Sequence, residues 1–426
     1  MTEYRCPGER YAISRAVHLG RLARFYPGCR NCKHRHDTGT LSQRQAKRLS
    51  ETEHRGHKPA LFQTEEVGGG ALGTLVPGTA HDLAAALGIC LARGLFDPLS
   101  PSSGAVRTET HEPAVVVAGD GRPAVAELVA AACKGLRWAG CNVVDLGPAS
   151  SACLLFAADH LGAAGGLLVG SGQGGPHRVG LKLFGPGSIP FSHDRGLDVV
   201  QRQFEQGVDR PTRRFGGLRR FQSEGPYLDL LRPHYHAIRP LRFVLDNACR
   251  PVEDYLNQLI GGLACRAVAG SADGTRLSER VVAEEAHFGL HIDDDGERCR
   301  AVDERGREVE PGRLLRLIAR RLVGGGGESA GTIVVPRDIE WPQVGGGPDP
   351  PCTVEVVRSE PTRAAMAAVM RRSEAACGGT PDGRIWYGTA AAPLPDALHT
   401  LTHLLALLSR SDRPFSMVLD REAPCG

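Results

Sequence analysis

No stretch of this 426-residue chain approaches the roughly 20 consecutive apolar residues that a membrane-spanning helix needs. The N-terminus is polar and lacks the apolar core of a secretory signal. Both absences argue against a membrane and for a cytoplasmic protein. Strong net charge is also missing, at +3 overall, but the charge is uneven. Residues 1–60 hold 13 Lys/Arg against 5 Asp/Glu, a balance of +8, which leaves −5 for the rest. A basic arm can meet an acidic partner. A solvated extension fits better, and nucleic acid is disfavoured, because the charge is not regularly interleaved with aromatic side chains for stacking. Thirteen cysteines is an odd number, and Cys90, Cys133, Cys141, Cys153 and Cys265 sit singly in apolar or helical surroundings. They read as free thiols in a reducing compartment, not as a disulfide framework.

What is present, 41% hydrophobic and 23% charged residues, is the make-up of a globular protein. The length suits about two to four domains. From Leu61 the pattern alternates: a strand at 114–117, an amphipathic helix at 124–138, a strand at 142–146, a helix at 152–160 and a strand at 166–169. This rhythm predicts an α/β fold with helices flanking a sheet. A second unit is expected from the strand 241–245 and helix 251–262. A third follows from the helix 314–322 and strand 332–335. A last helix near 395–408 places Leu398, Leu401, Leu404, Leu405 and Leu408 on one face, as core.

The segment His291-Ile292-Asp293-Asp294-Asp295-Gly296-Glu297-Arg298 follows an apolar run. Asp293, Asp295 and Glu297 alternate, so a tight loop pivoting on Gly296 can turn three carboxylates toward one hard cation such as Mg²⁺. A solvated acidic turn is the bland alternative. Near the N-terminus, Cys29-Arg30-Asn31-Cys32 has the two-thiolate spacing of a zinc knuckle. Cys6, with His34 or His36, can complete a tetrahedral set. Ile13, Val17, Leu19, Leu22 and Phe25 predict a short helix between the halves. Structural zinc is the favoured reading, because so small an arm cannot bury enough apolar surface to fold alone.

The acidic loop resembles the metal loop of the α-D-phosphohexomutases, the phosphomannomutase/phosphoglucomutase family, which reads Asp-Gly-Asp-Gly-Asp-Arg. Here Asp294 replaces the first Gly, Glu297 replaces the last Asp, and Arg298 is kept. Gly119-Asp120-Gly121-Arg122-Pro123, Val144-Asp145-Leu146-Gly147, Phe156-Ala157 and Tyr227-Leu228-Asp229-Leu230-Leu231 are also similar to family segments. The resemblance covers about residues 61–421. It implies three consecutive α/β/α phosphohexomutase-type domains behind a small N-terminal zinc-binding extension. The expected limits are 1–60 for the arm and linker, 61–205 for the first domain, 222–307 for the second and 308–426 for the third. A fourth family domain, with its Arg-x-Ser-Gly-Thr phosphate clamp, has no counterpart in the sequence.

The family carries its phosphoryl group on the serine of a Thr-Ala-Ser-His-Asn-Pro loop followed by Asn-Gly-x-Lys. Here the segment is Gly170-Ser171-Gly172-Gln173-Gly174-Gly175-Pro176-His177-Arg178-Val179-Gly180-Leu181-Lys182. Counting forward from the strand and back from Lys182 both put Gly172 at the serine position and Ser171 one place out of register. Without that hydroxyl the stored phosphoryl group has no carrier, and the Mg²⁺ loses one ligand, so weak binding is expected. Val67-Gly68-Gly69 replaces an Ile-Arg-Gly. The sugar-selecting Gly-Gly-Glu-x-Ser-Gly-His loop becomes Gly378-Gly379-Thr380-Pro381-Asp382-Gly383-Arg384, in which Arg384 can address an anion.

The resemblance therefore implies a phosphomannomutase/phosphoglucomutase-like protein of carbohydrate phosphate metabolism, catalytically impaired, which binds a phosphosugar or a protein partner as a pseudoenzyme. The alternative is an active Mg²⁺-dependent mutase using Ser171, with Lys182 beside it and Arg298 and Arg384 on substrate. A third reading places the function in the zinc-bearing arm. Metal analysis of the purified protein is expected to find zinc held through Cys6, Cys29, Cys32 and one histidine. Zinc-free protein whose stability is untouched by Cys29→Ser would exclude the arm site.

Overall fold

The computed structural model describes residues 4–5, 11–24, 29, 32–43, 45, 61–70, 75–96, 112–170, 178–193, 195–208, 214–270, 276–323, 331–337, 339, 341, 354–388 and 392–420. Contacts divide the chain into two compact units, Met1–Leu61 and Phe62–Gly426.

The first unit is built on the helix Arg15–Ala23, shorter than its apolar pattern suggests. Ser14 caps it by accepting from the Val17 amide at 3.3 Å. His18 and Leu22 are its buried residues. The His18 ring stacks on Tyr4 with centroids 4.4 Å apart.

The second unit holds three mixed sheets. In the first, β1 (Val67–Gly70), β5 (Arg178–Phe184), β4 (Gly165–Gly170), β2 (Ala114–Gly119), β3 (Asn142–Pro148) and β6 (Leu218–Arg220) lie in that spatial order. β4, β2, β3 and β6 run parallel, and β5 alone is reversed, pairing antiparallel with β4 on one side and with the edge strand β1 on the other. Every residue of β4 is buried, as expected of a central parallel strand covered on both faces. The sheet extends beyond the expected limit of 205, because β6 pairs with β3.

The second sheet orders β7 (Arg242–Asn247), β8 (Arg266–Ala269), β9 (Phe288–Ile292), β10 (Cys299–Asp303) and β11 (Glu308–Val309) as β11-β10-β9-β7-β8. β9 and β10 form an antiparallel hairpin whose turn is the acidic loop. The third sheet orders β12 (Gly331–Pro336), β13 (Val354–Ser359), β14 (Cys377–Gly379), β15 (Ile385–Gly388) and β16 (Pro393–Pro395) as β13-β12-β14-β15-β16. The turn between β14 and β15 carries Thr380, Asp382 and Arg384.

One apolar cluster runs through all three sheets, from Val116 and Leu168 through Phe243, Phe288 and Leu290 to Ile333, Ile385 and Leu404. The helix Ala397–Leu408 buries all five expected leucines, but it is not the last, since a further helix spans Phe415–Asp420. Ala397–Leu408 starts two residues later than its pattern suggests, because Pro393–Pro395 pairs as an edge strand. The ten described cysteines are all free, and burial pushes the thiols of Cys133 and Cys141 up to about 12. Among the described residues no helix is long and apolar enough to cross a membrane.

The helices Pro77–Ala92 and Ala126–Trp138 approach closely because Gly135 has no side chain. A Cβ there would meet the His81 carbonyl well inside contact distance. Gly135→Ala improves helix propensity by about 0.5–1 kcal/mol, but overpacking against backbone costs about 1–3 kcal/mol. The variant is therefore expected to melt below the parent in thermal denaturation.

Candidate functional site

Three turns meet at the acidic loop. Gly296 takes φ +76°, a left-handed conformation suited to glycine, and closes the turn with its amide donating to the Asp293 carbonyl at 3.1 Å. A Cβ on it would touch Ser150 and Val252 at 3.3 Å, so the turn is also tightly packed. Asp293 Oδ1 accepts from the Glu297 and Arg298 amides at 2.8 and 3.1 Å. The loop carbonyls are used as well: the Ser151 amide donates to Asp295 and the Ala397 amide to Gly296, each at 3.0 Å. An antiparallel bridge joins Arg298 to Arg384, tying the loop to the β14–β15 turn.

Glu297 is fully buried and is the centre of the charge arrangement. Its Oε1 accepts from Arg363 Nη2 at 2.7 Å and from the Ser151 hydroxyl at 2.6 Å. Its Oε2 lies 3.1 Å from Lys182 Nζ and 3.4 Å from Arg384 Nε. Burial alone would raise this carboxyl, but Arg363, Lys182, Arg384 and Ser151 outweigh it and hold the pKa well below the usual carboxylate range. Lys182 also pairs with Asp295. Arg384 bonds Glu65 at 2.9 Å and Asp382 at 2.8 Å, and Arg298 bonds Asp382 at 2.8 Å and faces Asp293 at 3.5 Å.

The network joins carboxylates of Glu65, Asp293, Asp295, Glu297 and Asp382 to cations on Lys182, Arg298, Arg363 and Arg384. Five negative charges face four positive ones. The excess falls at Asp293, whose pKa burial and the neighbouring Asp295 push up to about 6, against Lys182. Asp295 Oδ1 is buried without a hydrogen-bond partner. Asp120 lies close by, bound through Oδ2 to Arg122 Nε at 2.6 Å. A Cβ on Gly170, at the end of β4, would stand 3.1 Å from Asp295 Oδ1 and 3.5 Å from Asp120 Oδ2. The corner is short of positive charge, with Asp293 and Asp295 oxygens to offer, which suits a hard cation.

The structure thus brings together Lys182, Asp293, Asp295, Glu297, Arg298 and Arg384. Glu297 is not set for a metal, since three cations already surround it, and neither arginine is free for substrate. Ser171, Gly172 and Gln173 lie outside the described residues. Glu65, Ser151 and Arg363 carried no sequence signal; an isolated Arg after a helix cap, or a Ser starting a buried helix, has no motif around it. In the N-terminal unit Cys29 and Cys32 are buried in one turn, the Cys32 amide donating to the Cys29 carbonyl at 3.3 Å. His34 packs edge-on to Tyr4 at 5.3 Å. Cys6 lies outside the described residues, and among those described Cys29, Cys32, His34 and His36 do not bring three ligand atoms within reach of one ion.

Three mixed sheets around a carboxylate turn are an arrangement that can be compared with proteins of known fold. Residues 100–208 match the family model for phosphoglucomutase/phosphomannomutase, alpha/beta/alpha domain I. A phosphomannomutase of Salmonella typhimurium is 29% identical over 231 residues, 48% of this chain and 51% of that protein. The chain thus spans about half the length of that curated relative. A phosphoglucomutase/phosphomannomutase of Thermococcus kodakarensis is 25% identical over 337 residues, 74% of this chain and 72% of the relative. In fold the chain is similar to a phosphoglucomutase/phosphomannomutase family protein of Burkholderia thailandensis, with TM-score 0.68, 20% identity and coverage of 86% of this chain and 80% of the other. It is also similar to the phosphoglucomutase parafusin of Paramecium, with TM-score 0.59, 12% identity and coverage of 85% and 73%. Residues 100–208 thus match the first domain of the phosphoglucomutase/phosphomannomutase family, and over the wider spans given the chain is similar to these proteins in sequence and fold.

The two loop carboxylates carry opposite pH signatures. Glu297, with its lowered folded pKa, contributes stability that is complete above about pH 4.5 and is lost as pH falls below it. Asp293 titrates near 6 when folded and near 3.9 when unfolded, so ionising it costs stability as pH rises through that window. Glu297→Gln strands three buried cations and is expected to cost about 3–5 kcal/mol. In chelator at pH 7, Asp293→Asn should be neutral or stabilising by up to about 2 kcal/mol. Denaturant titrations of both variants between pH 4 and 8 check the signs.

Proposed function

We propose that this chain is a phosphosugar-binding member of the phosphohexomutase family in which phosphoryl transfer is impaired. The observation that carries the reading is the closure of Lys182, Arg363 and Arg384 on Glu297, which engages the cleft's cations with an internal carboxylate. Gly172 at the serine register supports it, because glycine has no hydroxyl to store a phosphoryl group. So does the β14–β15 turn, where Asp382 neutralises two arginines and offers no paired hydrogen bonds to a sugar.

Binding is supported by Arg363, which is fully buried, lies 5.2 Å over the Phe184 ring and has Nε and Nη1 without acceptors. Such donors fit the oxygens of a phosphate. Mg²⁺ fits the charge-deficient corner with Asp293 and Asp295 as protein ligands, a smaller set than the three carboxylates the sequence suggests, and when bound it neutralises phosphate charge. Zinc on the N-terminal arm, a cytoplasmic setting and a protein partner belong to the same reading.

A coupled assay with glucose and mannose 1-phosphates and their 1,6-bisphosphates is expected to show no turnover approaching roughly 1 per second. Calorimetry is expected to show hexose phosphate binding that Mg²⁺ strengthens and Asp295→Asn weakens. Turnover at enzyme rates that Ser171→Ala abolishes would overturn the impaired reading. Absence of any hexose phosphate binding would overturn the binding reading.

A further inference from the structure

Beside the third sheet lies a histidine cluster that takes no part in the acidic-loop network. We propose that His234, His399 and His403 form a binding site for a divalent transition-metal ion of the zinc, copper or nickel class. His399 and His403 are four residues apart on the helix Ala397–Leu408, so they share one face. His234 comes from the short turn Arg232–Tyr235, held to that helix by a 2.9 Å hydrogen bond between the Tyr235 and Thr402 hydroxyls. Tyr387 stacks on His399 with ring centroids 4.0 Å apart and closes one side.

One ring nitrogen from each histidine lies within 4.8 Å of the other two. A tetrahedral ion with bonds of about 2.1 Å needs nitrogens roughly 3.4 Å apart, so the rings must close by a little over an ångström. The rings of His399 and His403 are nearly parallel, at 16°, and His234 crosses them at 42° and 56°. Because each lone pair lies in its ring plane, the side chains must rotate from this stacked arrangement for the three to converge on one ion. Three neutral imidazoles suit borderline ions and not Mg²⁺, which prefers oxygen.

The second, independent observation is His403 Nε2. The residue is 1% exposed and this nitrogen has no hydrogen-bond partner. Its other nitrogen, Nδ1, accepts from Arg321 Nε at 3.1 Å, which fixes the ring proton on Nε2. A buried N–H without an acceptor is a deficit that an ion at Nε2 removes. On loading, the ring stays neutral: its proton moves from Nε2 to Nδ1, and Arg321 must release Nδ1 and turn outward. Arg321 can do so, since among the described residues it makes no ion pair and its Nη1 is also without a partner.

The test uses the full chain, stripped with chelator and titrated with Co²⁺ and then Zn²⁺. Visible d–d bands without thiolate-to-cobalt charge transfer are expected from the histidine site, which separates it from any cysteine site in the arm. His234→Gln, at a half-exposed position, should weaken that site by more than about 100-fold, beyond the roughly 10–100-fold of an outer-shell change. Arg321→Met should tighten it by about tenfold, the scale on which one neighbouring unit charge acts. A readout on the unmodified protein is acylation of the histidines by diethylpyrocarbonate, with Zn²⁺ expected to protect His234, His399 and His403. Cobalt spectra unaffected by His234→Gln, no protection by Zn²⁺, or inorganic phosphate binding through Arg321 with no metal uptake would each overturn the site.

Discussion

The charge on Glu297 organises this protein. A single carboxylate, removed from water, is contacted by a lysine on the edge hairpin of the first sheet, an arginine at the start of a helix of the third, and a second arginine from the β14–β15 turn. A buried anion is tolerable only when its partners are in place. Each of the three sheets supplies something the others cannot do without, and the common apolar cluster follows the same geometry. Guanidinium and ammonium groups fixed in the fold sit where a mobile divalent ion would otherwise gather carboxylates. The cleft therefore has its electrostatic order built into the polypeptide, with only the corner at Asp293 and Asp295 left short of positive charge.

Much of the architecture is legible in the sequence. The strands expected at 114–117, 142–146 and 166–169 are legible as short, mainly apolar runs, with Asn142 and Asp145 the polar members of the second, and the leucine spacing of the helix Ala397–Leu408 marks its buried face. The acidic loop is visible through its alternation and its Gly296 pivot. What spacing cannot give is the identity of each carboxylate's partner. Glu65 and Glu297 are 232 positions apart in sequence numbering yet share Arg363, one through its amide and the other through its guanidinium. Asp293, Asp295 and Glu297 look equivalent in the sequence. Packing makes one a salt-bridge hub, one a carboxylate titrating near neutrality and one the owner of an unpartnered oxygen.

The helical ends show the same limit. Pro395 begins neither a helix nor a loop but completes an edge strand, because Trp386 stands opposite it in register. Ser150, Thr362 and Asp396 cap their helices, accepting from the amides of Cys153, Ala365 and His399. Local chemistry fixes where these helices start, while the tertiary partners of their first turns come from elsewhere in the chain.

Those partners have a consequence for how the protein can be taken apart. The acidic turn lends one carbonyl to the first amide of Ser151–His160 and the next to the first amide of Ala397–Leu408. Two helices belonging to different sheets thus begin on the backbone of a third. Any fragment cut near residue 307 would separate the helix Ala397–Leu408 from the carbonyl that receives its leading amide, and a fragment ending before 293 would do the same to Ser151–His160. The sheets are successive along the chain, yet they are not modules that can be excised: their seams are stitched at helix starts.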